Sequence, residues 1–228
     1  MEVFTTLAQV ENYPPRFTFL LFLRPICVCE LLCFLLLIKS SKLSNSNLIV
    51  SNSRKRVRAQ TPYLSQGIDS SSDVFQRIQM KYIDDDEGIK KYFAAFHLHD
   101  TFPVAVIVDD FGDFFDDRNC QERYSNPRGR DLAMVRTLAL CHDAIIHANE
   151  RGPCKLLLSD THHGDTPRLL FIYKRWIPSI FTIRGLCSSE KRLEVNNIPC
   201  GSKWARTAKY SIALQYLLLE EIIDDSVQ

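Results

Sequence analysis

The stretch PVAVIVDDFGDFFDD, from Pro103 to Asp117, constrains the fold more than any other part of the chain. Val104 to Val108 is a run of five small apolar residues that stops at Asp109 and Asp110. An apolar run without alternation belongs to a strand covered on both faces, as in a parallel sheet. In open parallel sheets, ligands bind beyond the carboxyl ends of the strands. Asp109 and Asp110 fall at such an end and are the first candidate catalytic residues. The plain alternative is an Asp that ends a strand by capping the next turn.

The flanking pattern supplies the other layers of such a fold. Arg77 to Ile83 alternates polar with apolar and predicts a strand. Asp84 to Glu87 offers an N-cap and a negative first turn. Behind it, Ile89, Tyr92, Phe93 and Phe96 recur at helical spacing. Asp131 is expected to open a long helix, with Leu132, Val135, Leu138, Ala139, Ile145 and Ile146 on its core face. Gly152-Pro153 stops it. Lys155 to Ser159 is a second continuous apolar strand. Arg168 to Ile183 reads as a hairpin around Trp176-Ile177-Pro178, with Lys174 to Trp176 at a strand end. Ala205 to Ile223 reads as a last amphipathic helix carrying Ala208, Ile212, Tyr216 and Leu219. This order predicts an α/β layer fold with a largely parallel sheet.

One chemistry that needs an acid at the tip of a buried strand is nucleotide hydrolysis. There the acid holds Mg²⁺, often through water, while a glycine-rich loop wraps the phosphates. That loop reads G-x-x-x-x-G-K-[ST] and precedes the acidic strand. The first glycine of these 228 residues is Gly67, and none of the eight glycines precedes a Lys-Ser or Lys-Thr pair. The acidic half of the site is therefore present without the half that cradles phosphates.

The first sixty residues differ from the rest. Phe17 to Ile38 approaches the length of a membrane span, but Arg24, Pro25 and Glu30 interrupt it. A membrane anchor and a buried apolar segment are both compatible with it. A Ser- and Asn-rich stretch follows, interrupted by Asn47 to Val50, and then the basic run Arg54 to Arg58, either a targeting patch or a solvated loop. With 28 basic and 27 acidic residues, no global charge drives the chain toward nucleic acid or membrane, so any such surface must be local. The eight cysteines form no CxxC pair. They predict reduced thiols of a cytosolic or nuclear protein.

Taken as a run, Tyr63 to Arg184 resembles RecA-type recombinases. Within them it is similar to the plant SWIM-domain-associated recombinase-paralogue ATPases. The residues that carry the resemblance are FQRIQMKYIDDDEGIKKYFAAFHLHDTFPVAVIVDDFGDFFD, RGRDLAMVRTLALCHDA and CKLLLSDTHHGD, with ARTAKYSIALQYLLLEEII closing it. The resemblance implies a RecA-like P-loop NTPase three-layer fold, N-terminally incomplete. Residues 47–223 would form the ATPase core. Residues 1–46 would be an atypical apolar extension in place of the phosphate-loop region, and 224–228 a tail. It implies ATP and Mg²⁺ as cofactors, with Asp109 as the metal-side acid and hydrolysis impaired without the phosphate loop. Ser159-Asp160-Thr161 stands where these recombinases carry Thr-Asn-Gln. The implied partners are a SWIM zinc-finger protein in a Shu-type complex, single-stranded DNA and a recombinase, in the nucleus, in homologous-recombination repair.

Arg118, Arg123, Arg128 and Arg130 lie between the acidic strand and the long helix, a region that faces DNA in the recombinases. Arginines on a loop neutralise phosphates without reading sequence, and Tyr124 is placed to stack on a base. His162, His163 and Arg168, on the next loop, complete the candidate DNA-binding set. The alternative is a solvated loop whose arginines pair with Asp116, Asp117, Glu122 and Asp131. A rival likeness is that Asp160 and His162 have the Asp-x-His spacing that opens metallophosphoesterase sites. The later motifs of that class are missing from these residues. Two further alternatives are an active ATPase of the same fold and a membrane-anchored α/β protein.

Overall fold

A computed structural model describes residues 17–22, 47–52, 78–161, 169–185, 192–199, 204–213 and 216–226. These form nine strands: β1 (Phe17–Phe22), β2 (Asn47–Asn52), β3 (Ile78–Ile83), β4 (Ala105–Val108), β5 (Lys155–Thr161), β6 (Ser179–Gly185), β7 (Arg192–Pro199), β8 (Trp204–Ala213) and β9 (Tyr216–Ser226). The helices are α1 (Asp86–Ala94), α2 (Asp113–Asp116), α3 (Arg118–Arg123), α4 (Pro127–Arg151) and α5 (Leu170–Trp176), with a 3₁₀ turn at Phe96–Leu98. The architecture is mixed α/β. The sheet order is β3-β2-β4-β5-β1-β6-β7-β8-β9. Pairing is parallel from β3 through β6 and antiparallel from β6 to β9.

The pair β4–β5 forms the centre of the described core. Ala105 to Val108 lie opposite Lys155 to Leu158 in parallel register. All four β4 residues are buried, as the run without alternation predicts. On one face Val106, Val108, Leu156, Leu158 and Ile180 join the cluster made by the helices. On the other face Ile107, Leu157 and Phe181 are buried as well. At the sheet margin, β3 exposes Gln79 to Tyr82, as an edge strand does.

Helix α1 follows its sequence signals closely. The Asp85 side chain accepts from the Gly88 amide at 2.8 Å, and Asp86 and Glu87 occupy the first turn. Ile89, Tyr92, Phe93 and Phe96 are all buried, against α4 and Phe102.

Helix α4 begins four residues before the predicted Asp131. Asn126 caps it by accepting from the Gly129 amide at 2.7 Å, and Pro127 takes the first turn, where its missing N–H costs nothing. Its buried stripe is Ala133, Met134, Thr137, Leu138, Cys141, Ala144, Ile145 and Ala148. Of the predicted core face, Leu138 and Ile145 are buried and Val135 and Ala139 half-buried, while Leu132 and Ile146 are exposed. The packed stripe mixes small residues with Met134, Leu138 and Ile145, so size alone does not mark it in the sequence.

Two predicted elements are corrected. The segment read as a hairpin around Trp176-Ile177-Pro178 is helix α5 followed by strand β6. Pro178 forces Ile177 into extended backbone, which ends the helix instead of turning a hairpin. The predicted last helix, Ala205 to Ile223, is the antiparallel pair β8–β9. Its apolar positions 208 and 212 are spaced by four, which satisfies a strand period of two as well as a helical one, while Tyr216 lies past the turn, opposite Ala213. In the sheet Ala208 is buried, Thr207 donates its hydroxyl to Asn196 at 2.7 Å, and Lys209 pairs with Glu221 at 2.9 Å.

Phe17 to Phe22, assigned by sequence to an extension, is a strand between β5 and β6. The rest of the apolar stretch to Ile38 and the basic run Arg54 to Arg58 lie outside the described residues. Among the described residues no helix is long and apolar enough to cross a membrane. Cys120, Cys141 and Cys154 are free, buried thiols. Burial pushes Cys120 up to about 11 and Cys154 up to about 12, and Cys141 upward too, so none of the three is a thiolate near neutral pH.

Candidate functional site

The carboxyl ends of β4 and β5 lie side by side, so the sheet places Asp109 and Asp110 next to Ser159, Asp160 and Thr161. The main-chain ladder runs on past β4, with the Phe111 amide donating to the Ser159 carbonyl at 2.8 Å. One hydroxyl spans both acids. Ser159 Oγ donates to Asp109 Oδ1 at 2.9 Å and accepts from the Asp110 amide at 3.1 Å. Thr161 donates its hydroxyl to Asp110 Oδ1 at 2.6 Å. Asp110 has a φ of 47°, in the left-handed region that a non-glycine residue enters only when its surroundings hold it there. Phe111, fully buried against Phe115 and Tyr173, anchors the turn in the core.

Asp160 is the buried acid of the group. Tyr173 of α5 donates its hydroxyl to Asp160 Oδ2 at 2.7 Å. Gly112 approaches from the turn, close enough that its amide favours the ionised Asp160 carboxylate. Burial pushes the Asp160 carboxyl up to about 7. The Tyr173 hydrogen bond and the nearby Gly112 amide oppose that rise, and the negative charges of Asp110 and Asp113 add to it. Burial also drives the Tyr173 hydroxyl well above its ordinary value, so it stays a donor.

Position 112 has no room for a side chain. A Cβ there would lie 2.6 Å from Asp160 Oδ1 and 2.8 Å from Oδ2. Gly112→Ala is expected to cost about 1–3 kcal/mol of stability through overpacking. Urea unfolding would measure it, and a wild-type midpoint would refute the close approach.

The four predicted arginines separate into two pairs. Arg118 and Arg123 lie on α3. Arg118 is exposed and pairs with Glu122 at 2.8 Å. Arg123 holds the fully buried carboxylate of Asp86 on α1 and lies 3.5 Å from Asp85. It thereby ties α3 to α1. Arg128 and Arg130 lie in the first turn of α4, with no acid in that turn. Helix α4 leads from the end of β4 to the start of β5, so its N-terminus lies at the same sheet edge as Asp109 and Asp160. Tyr124 packs half-buried against the core, under Lys90 and beside Gly129. Lys174 and Arg175 are exposed on α5, and Trp176 packs against His142. His162, His163 and Arg168 lie outside the described residues.

Sequence reasoning found Asp109, Asp110 and the Ser-Asp-Thr triplet but missed Tyr173. That residue sits inside the apolar run LLFIY, where nothing marks its hydroxyl as the partner of a carboxylate. Mg²⁺ binds through one or two carboxylates and completes its shell with water and substrate phosphates. Asp109, half-buried and oriented by Ser159, fits that outer role. Among the described residues no group of three or more His, Cys, Asp or Glu is arranged to hold a metal by itself. No protein-family model and no curated protein sequence matches this chain.

Proposed function

We propose that this chain is a RecA-like accessory module of recombinational DNA repair, binding single-stranded DNA with a SWIM zinc-finger partner. The observation that carries the reading is the placement of Arg128 and Arg130. Both sit at the positive end of a 25-residue helix with no acid in its first turn. Cations there oppose the helix dipole, a cost that an incoming phosphate offsets. The strand order adds support. Directly beside β5, β1 sends its connection the opposite way from those of β4 and β5, which makes a topological switch point at the carboxyl edge. The edge also carries the acids expected to face Mg²⁺ and ATP in this class, with Asp109 as the metal-side residue. The 228 residues carry no G-x-x-x-x-G-K-[ST] run, so the reading has ATP hydrolysis impaired in this chain.

The test is fluorescence polarisation with a single-stranded oligonucleotide across a salt series. In Arg128→Ala/Arg130→Ala the slope of log affinity against log salt is expected to fall by about 1.4, at about 0.7 per phosphate contact. An unchanged slope, or no binding by the wild type, sinks the reading. The pairing of Asp109 with the Ser159 hydroxyl favours one second reading, an ATPase of the same fold. ATP turnover that disappears in Asp109→Asn would select it.

A further inference from the structure

We propose that the outer face of α5 extends the single-strand surface, with Phe171 stacking on a base of single-stranded DNA and Lys174 and Arg175 taking the flanking phosphates. This role rests on the DNA-binding reading and adds to it a residue that engages bases. Helix α5 is two-sided. Ile172 and Tyr173 are buried in the core, and Trp176 packs on His142 of α4. Phe171, Lys174 and Arg175 are exposed, Phe171 at 66%. Spacings of three and four residues put these three on one face of the helix. No residue from Leu169 to Pro178 is acidic.

The packing of α5 fixes where that face lies. Tyr173 bonds Asp160 at the carboxyl end of β5. Strand β6, which follows α5, runs parallel to β1, and β1 runs parallel to β5. Helix α5 therefore leads from the carboxyl edge toward the opposite edge, where β6 begins. Phe171, in its first turn, lies at the end nearer the carboxyl edge. The first turn of α4, with Arg128 and Arg130, lies at that same edge. The helix dipole accounts for cations in the last turn of α5, but not for an aromatic ring left in water beside them. A ring flanked by cations matches a chain of flat bases joined by phosphates. A duplex keeps the faces of its bases in its own stack, so the single strand is the form that fits. The centre of a protein interface is depleted of lysine, which disfavours a protein on this face.

Fluorescence polarisation of the full chain with an oligo-dT strand, and with an abasic strand of the same length, tests it. Phe171→Ala is expected to lower oligo-dT affinity about fivefold to a hundredfold with the salt slope unchanged, while Phe171→Trp keeps the wild-type affinity. On the abasic strand, wild type and Phe171→Ala should bind alike, because no base is there to stack. Lys174→Ala/Arg175→Ala should lower the slope of log affinity against log salt by about 1.4, at about 0.7 per phosphate contact. An oligo-dT affinity unchanged in Phe171→Ala overturns the proposal and leaves the face to a protein partner. An equal loss on the abasic strand overturns it too, since the substitution has then damaged the fold and not a stack. So does an unchanged slope in the double variant. In each of these cases wild-type binding leaves the DNA reading standing, whereas a wild type that binds neither strand sinks both.

Discussion

Arg123→Ala is expected to lower stability by about 2–4 kcal/mol, a large effect for a surface arginine. The reason lies in its partner. Asp86 is fully buried at the start of α1, and Arg123 is bonded to its Oδ1. The other oxygen, Oδ2, has no hydrogen bond, only Lys90 at 3.6 Å. Removing the guanidinium leaves a desolvated carboxylate with one distant cation. The value sits at the low side of that for breaking a buried pair, because Arg123 itself is 37% exposed and water screens part of the interaction. Denaturant unfolding of Arg123→Ala, Asp86→Asn and the double variant would measure it. The double variant should recover at least half of the loss, because no buried charge then lacks a partner. If Arg123→Ala unfolds at the wild-type midpoint, the α1–α3 tie is not a structural bond. The same result explains why Arg123 makes a poor probe of DNA binding: its loss would weaken binding by loosening the fold.

Stability should also fall as pH rises from about 4 to about 7, through Asp160. Its folded value of about 7 stands above the ordinary 3.8. In that window the folded chain binds the extra proton, so the slope of unfolding free energy with pH is negative. The contribution is fully present below the ordinary value and lost by the folded one, at about 4 kcal/mol in all. Glu87 works the other way, since its hydrogen bond with Lys90 lowers its pKa. It lies at the surface, where such a pair is worth little. Thermal melts at pH 4.5, 6 and 8 should show the decline in wild type and lose most of it in Asp160→Asn. Equal declines in both would assign the effect to other groups.

The parts of the fold that the sequence made legible are those where one physical demand acts alone. Val104 to Val108 needs cover on both faces, and only a buried strand supplies that. Asp85 with Ile89, Tyr92 and Phe93 combines a cap with one apolar face. The C-terminal segment reads as a helix because the spacing of 208 and 212 fits both periods and no glycine or proline marks the turn between Ala213 and Tyr216, so the choice falls to pairing with β7 and β9. The start of α4 was missed by following apolar residues instead of the Asn126-Pro127 cap. Within the site, the acids announced themselves by interrupting an apolar run. Tyr173 did not, since its ring belongs in the core and only its hydroxyl belongs to the site. The arginines were legible as a cluster. The separation of Arg123, which is structural, from Arg118, Arg128 and Arg130 depends on Asp86, thirty-seven residues from Arg123.

The contact between Gly112 and Asp160 ties the history of two distant positions together. Any side chain gained at 112 meets the carboxylate of 160, and any shortening of 160 opens a space that 112 is free to fill. Related chains that retain this corner should therefore keep glycine at 112 wherever 160 keeps its carboxylate. A glycine–acid pair in one lineage would be exchanged for a larger residue at 112 only alongside a smaller one at 160.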